Sequence, residues 1–97
     1  MVVISKSILI QFGQSHPDSV LPLNEWWAKA KEADWSSFSD IKKTFNSVDY
    51  VGNDRYVFNI KGNKYRLVTM IFLDKRTVYI RFIGTHKEYD KIDCSAI

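Results

Sequence analysis

The 97 residues suffice for one compact domain, and the apolar fraction of 45% with three Trp, five Tyr and six Phe excludes a disordered chain. Cys94 is the only cysteine, which rules out an internal disulfide and fits a reducing compartment; so close to the end of the chain it reads as a bystander. Net charge is only +3, yet residues 42 to 91 carry +6 and the remainder −3, so the basic residues concentrate in the second half.

The opening Met1-Val2-Val3-Ile4 predicts a short strand, and Ser5 is placed to cap a helix carrying Ile8, Leu9 and Phe12. Pro17 stops that helix, and His16 beside it reads as structural. After Pro22, Asn24 is the expected cap of a second helix whose apolar stripe is Trp26, Trp27 and Ala30, ending near Asp34. Ser36, Ser37 and Ser39 form a polar connector, with Ser37 or Ser39 capping a short helical turn that pairs Ile41 with Phe45.

From Val48 onward the period becomes two, the pattern of strands. Gly62-Asn63 suits a two-residue hairpin loop, which pairs Asn59 with Arg66, Ile60 with Tyr65, Phe58 with Leu67 and Val57 with Val68. A second turn at Asp74 to Thr77, with a two- or four-residue loop, is expected to pair Ile71 with Ile80 and Met70 with Arg81. One face then gathers Tyr56, Phe58, Ile60, Tyr65, Leu67, Ile71, Val78, Ile80 and Phe82 for the helices to cover. The other gathers Arg55, Asn59, Lys61, Lys64, Arg66 and Arg81. Slipping the register by one residue would bury all of those charges unpaired, at a cost the fold cannot meet.

Val57, Val68, Met70 and Ile83 join the basic face as the floor of a shallow groove. Guanidinium groups around such a floor can hold phosphates through charge-assisted hydrogen bonds, and the rings of Tyr79 or Tyr89 can stack on bases. No acid is predicted opposite Arg66 or Arg81. Thr85 can cap a last short helix with His86, Tyr89 and Asp90 on one face. An imidazole, with an ordinary pKa of about 6.5, exchanges protons readily at neutral pH. Cleavage of RNA without a metal needs a base for the 2′-hydroxyl, an acid for the leaving 5′ oxygen and a cation for the phosphorane. His86 with Tyr89 or a lysine supplies such a pair.

No carboxylate pair or His/Cys cluster has metal-ligand spacing, and no glycine loop is built to cradle phosphate, so neither metal nor cofactor is expected. With no long apolar run and no cleavable leader, the expectation is a soluble, cytoplasmic chain without membrane contact.

The segments Tyr56 to Leu67 and Ile80 to Ile92 closely resemble the HigB-type toxins of bacterial toxin-antitoxin modules, members of the RelE-like superfamily. The resemblance implies a single RelE-like domain over residues 1–97. Its expected class is α+β: a small antiparallel β-sheet with N-terminal helices packed on one face. It also implies an endoribonuclease that cuts mRNA in the ribosomal A site, acts with the ribosome and is restrained by a cognate antitoxin. On the matching positions, Arg66 and Arg81 would hold the scissile phosphate, and His86 and Tyr89 would transfer protons. Lys61, Lys64, Asn59 and Arg55 would contact RNA, while Asp90 would orient His86 or cap the backbone. Two other readings stand beside it: a non-catalytic binder of RNA or of a partner protein using the same basic groove, and an antitoxin-like interaction module docking through an exposed Trp26 or Trp27.

Overall fold

The computed structural model describes residues 1–97. In chain order the elements are β1 (Val2–Ile4), α1 (Lys6–Ser15), a 3-10 turn (Pro17–Ser19), α2 (Val20–Glu32), α3 (Phe38–Thr44), β2 (Asp49–Gly52), β3 (Arg55–Ile60), β4 (Tyr65–Phe72), β5 (Thr77–Thr85) and α4 (His86–Tyr89). The five strands form one sheet in the order β1-β5-β4-β3-β2. The α+β class is as expected, with one correction to the sheet. Strands β2 to β5 run antiparallel, whereas β1 lies parallel to β5, pairing Val3 with Val78. A parallel neighbour needs a long connection, and here the whole helical segment and three strands separate the two partners.

The helices pack on one face of the sheet. Leu9, Leu23, Trp26, Ala30 and Ile41 from the helices meet Phe58, Ile60, Leu67, Ile71 and Ile80 from the strands in one buried cluster. Trp26 anchors it, its ring edge-on to Phe58 at 5.4 Å and stacked with Phe45 at 6.1 Å. Trp26 is therefore core, which removes it from the docking role; Trp27, half-buried, packs at the margin of the cluster.

Several local expectations hold and two shift. Ser37 caps α3, its hydroxyl accepting from the Asp40 N–H at 3.2 Å. Ser5 precedes α1 but sits in the left-handed region at φ 75 and its side chain caps nothing. The second helix begins at Val20, placing Asn24 inside it. Pro22 falls in its first turn, where a missing N–H costs no intrahelical bond, so it does not mark the boundary it suggests in the sequence.

The β3–β4 register is the expected one, residue for residue: Asn59 opposite Arg66, Ile60 opposite Tyr65, Phe58 opposite Leu67 and Val57 opposite Val68. Lys61 and Gly62 take positive φ values of 52 and 63 in the connecting turn. The β4–β5 register differs. Its turn lies one residue earlier, so Ile71 pairs with Val78 and Met70 with Tyr79. A bulge then interrupts the ladder: Thr69 faces Ile80 and Val68 faces Phe82, leaving Arg81 as the extra residue. Past the bulge the parity reverses, turning Ile83 into the helix-side core and Phe82 onto the helix-free face, the opposite of the expected assignment. Strict alternation cannot reveal an inserted residue.

Candidate functional site

The helix-free face of the sheet presents Arg55, Val57 and Asn59 from β3, Arg66, Val68, Met70 and Phe72 from β4, and Tyr79, Phe82 and Gly84 from β5. Arg81 joins them: Ile80 points to the core, so the next residue points away from it, and the bulge keeps Phe82 on that same side. Arg66 and Arg81 thus share a face, as expected. Neither forms an ion pair; the three in the chain join Lys61 and Lys64 to Asp18 and Arg76 to Asp34.

Arg66 is aimed by its ladder partner. Its Nη1 donates to Asn59 Oδ1, and its guanidinium carbon lies 5.8 Å from the centre of the Tyr89 ring. Tyr89 reaches that position from α4, which the Thr85–Glu88 capping box starts: Glu88 N–H donates to the Thr85 hydroxyl at 3.3 Å and Thr85 N–H to the Glu88 carboxylate at 2.9 Å. The Tyr89 hydroxyl donates to Cys94 Sγ at 3.3 Å. Burial, and then that hydrogen bond, push the phenol up to about 12, against the opposing pull of Arg66. Tyr89 is consequently a protonated donor across the physiological range.

His86 opens α4, exposed, one helical turn before Tyr89. Asp90 does not orient it; the contact between them is the Asp90 N–H donating to the His86 carbonyl at 2.9 Å.

The expected open groove floor is partly closed. Val57 and Val68 are buried, yet both lie outside the helix-side cluster. On this face the segment after α4 is tied down at the start of β3, beside Val57. Arg55 donates from Nε and Nη2 to the main-chain oxygen of Ile97 at 2.9 and 2.7 Å, and Asn53 Nδ2 donates to Ser95 O at 3.1 Å. Arg55 is therefore occupied by the chain itself rather than presented to solvent. The open part of the face runs from Arg66 and Tyr89 towards Arg81, Met70, Phe72 and Tyr79, where Phe72 and Tyr79 meet edge to face at 5.9 Å.

Lys61 and Lys64 also depart from expectation. Both reach Asp18, which precedes α2, Lys61 at 3.4 Å, and Tyr65 donates its hydroxyl to the other Asp18 oxygen at 2.5 Å. The sequence offers no sign of this acid, because it lies on the far side of the helical segment. His16 is structural as expected, stacked on Phe12 at 4.0 Å and edge-on to Tyr65 at 5.5 Å. Cys94, read as a bystander, instead supports Tyr89. No three His, Cys, Asp or Glu side chains gather in one place, and no helix is long and apolar enough to cross a membrane.

The profile of the HigB toxin family, described as the RelE-like toxic component of a toxin-antitoxin system, matches residues 19–92. The chain belongs to this family. Among its relatives, the mRNA interferase HigB of Escherichia coli O6:H1 strain CFT073 is 28% identical over 94 residues, covering 95% of this chain and 91% of that protein. The mRNA interferase toxin HigB of Escherichia coli K12 is 45% identical over 53 residues, 52% of this chain and 50% of that protein. The HigB of Shigella flexneri aligns to the same extent. The HigB match takes in α2, α3, the strands β2 to β5 and α4, and begins after β1 and α1.

Proposed function

We propose that this HigB-family chain is an mRNA interferase, the toxin of a toxin-antitoxin pair, and that it cuts translated mRNA by attack of the ribose 2′-hydroxyl on the adjacent phosphorus. The observation that carries this reading is the pair Arg66 and Arg81 on one sheet face with no carboxylate to neutralise either. Two guanidinium groups, Arg66 held by Asn59 and Arg81 free at the surface, suit a phosphodiester whose charge grows in the transition state. His86 takes the 2′ proton as the oxygen attacks. The P–O5′ bond breaks, and Tyr89 gives its proton to the departing 5′ oxygen, leaving a 2′,3′-cyclic phosphate and a 5′-hydroxyl. Tyr89 is protonated at neutral pH, as the acid must be, and its contact with Arg66 opposes the burial that makes the phenol a weaker donor. Asn59 sets the Arg66 geometry, while Lys61 and Lys64 add positive field at the hairpin tip, partly offset by Asp18. Arg55 acts indirectly, holding the segment after α4.

Dependence on the ribosome fits the same arrangement. His86 and Arg81 are exposed and engage no other side chain, so a surface that fixes the message in the A site completes the geometry. The work is accordingly cytoplasmic, where messages are translated, and the restraining partner is an antitoxin protein.

The test is brief induction in a bacterium with mapping of mRNA 5′ ends. Growth arrest with new 5′-hydroxyl ends inside translated regions is expected, and both should vanish in Arg81→Ala and His86→Ala while the proteins stay folded. Arrest by both variants at the wild-type level would remove those residues from the site. Arrest without new ends would refute nuclease action and favour a binder.

A further inference from the structure

The helix layer, on the opposite side of the sheet from Arg66 and Arg81, carries a second cationic feature. Lys6 of α1 places its Nζ 3.7 Å from the centre of the Trp27 indole, and Lys31, one turn after Trp27 on α2, places its Nζ 4.8 Å from the same ring. Neither ammonium is in an ion pair. The ring face attracts each cation, but two like charges gathered at one indole repel each other, and a carboxylate between them would relieve that.

Apolar hollows flank this cluster on both sides. Between α1 and α2 lies a cavity of about 290 Å³, bordered by Lys6, Leu9, Ile10, Val20 and Leu23. On the other side a hollow of about 330 Å³ is bordered by Met1, Val2, Val3, Trp27 and Lys31. Ile10 is 56% exposed and Val2 58%. Val2 belongs to β1, an edge strand whose outer side has no neighbour in the sheet.

We propose that Lys6, Trp27 and Lys31, with the hollows beside them, form the docking surface for the antitoxin, and that the docking segment presents aliphatic side chains flanked by carboxylates. This rests on the reading of the chain as the toxin of such a pair. Charge complementarity selects an acidic partner, since both lysines lack a carboxylate. The aliphatic hollows select a protein over ribosomal RNA, because a sugar-phosphate chain has nothing apolar to fill them.

The experiment begins with a genomic library of the source organism, screened for a fragment that restores growth to cells expressing the toxin. The encoded polypeptide is the probe. Its affinity is measured for the full-length toxin, for Lys6→Glu/Lys31→Glu, for the milder Lys6→Gln/Lys31→Gln and for Trp27→Ala, with a thermal melt for each. The expected result is weakening of at least tenfold in the double Glu variant and less in the double Gln variant. Growth arrest by these variants should persist and resist rescue. Unchanged affinity in folded variants would overturn the docking surface and leave the toxin reading intact. Unchanged affinity with lost arrest would overturn it in favour of a ribosomal RNA contact. If no fragment rescues growth, the toxin-antitoxin reading fails and the docking surface falls with it.

Discussion

Arg66 and Asn59 face each other across the β3–β4 ladder, and the guanidinium donates to the amide oxygen of Asn59, whose own Nδ2 donates to Asn63 Oδ1 at 3.0 Å. A neutral acceptor aims the guanidinium without cancelling its charge, which a carboxylate in the same place would do. Arg66→Ala is expected to lower mRNA cleavage by about 100-fold, the scale of losing one transition-state donor. Asn59→Ala should cost only a few-fold, whereas Asn59→Asp should cost more than the alanine because it neutralises Arg66. Primer extension on a translated reporter gives the ranking. An aspartate variant as active as the alanine one would sink the electrostatic account.

Tyr89 offers a spectroscopic check. Its phenol is pushed up to about 12 by burial and by the Cys94 contact, above the value of about 10 expected when unfolded. The folded state therefore holds this proton more tightly, and the associated stability is complete below about pH 10 and lost as pH rises towards the folded value. Burial also raises the Tyr56 phenol and the Asp18 hydrogen bond raises that of Tyr65, so ultraviolet titration should find several tyrosines ionising late, of which Tyr89→Phe removes one. The phenylalanine variant should also lose cleavage while keeping its fold. Full activity in that variant would assign the acid elsewhere.

Asp18 predicts behaviour at the acid end. Hydrogen bonds from Lys64 and the Tyr65 hydroxyl, with a smaller effect of Lys61, hold its carboxyl well below the usual carboxylate range. A depressed carboxyl stabilises the fold above its unfolded pKa of about 3.9, and that contribution fades as pH falls through the folded value. The difference in melting temperature between wild type and Asp18→Asn should be greatest near neutrality and shrink below about pH 4. A difference that stays constant with pH would show that the carboxylate charge is not what holds the hairpin tip to the helices.

Trp26 tests the core. It is only 2% exposed, packs on Phe45 and Phe58, and its buried indole N–H has no hydrogen-bond partner. Trp26→Ala leaves a cavity and should destabilise by about 3–5 kcal/mol. Trp26→Phe keeps a ring between the same neighbours and removes the unsatisfied donor, so it should cost much less. Denaturant unfolding measures both, and equal losses would mean that the indole N–H finds a partner in solution.

The sequence alone determined what depends on neighbours in the chain. Alternation and turn chemistry set the β3–β4 register, placing Arg66 opposite Asn59, and Thr85 after the last strand marked the cap that starts α4. Tertiary structure alone decided the rest. Lys64 meets Asp18 across 46 positions and Asn53 meets Ser95 across 42, so neither the occupied lysines nor the tied-down segment after α4 has a local signature. The same holds for β1, whose parallel place beside β5 follows from how the helices cross the sheet. At Arg81 the ladder gains a residue that reverses the faces of Phe82 and Ile83. Side-chain pattern fixes parity only within an unbroken ladder, and where the ladder breaks is settled by packing of the whole sheet against its helices.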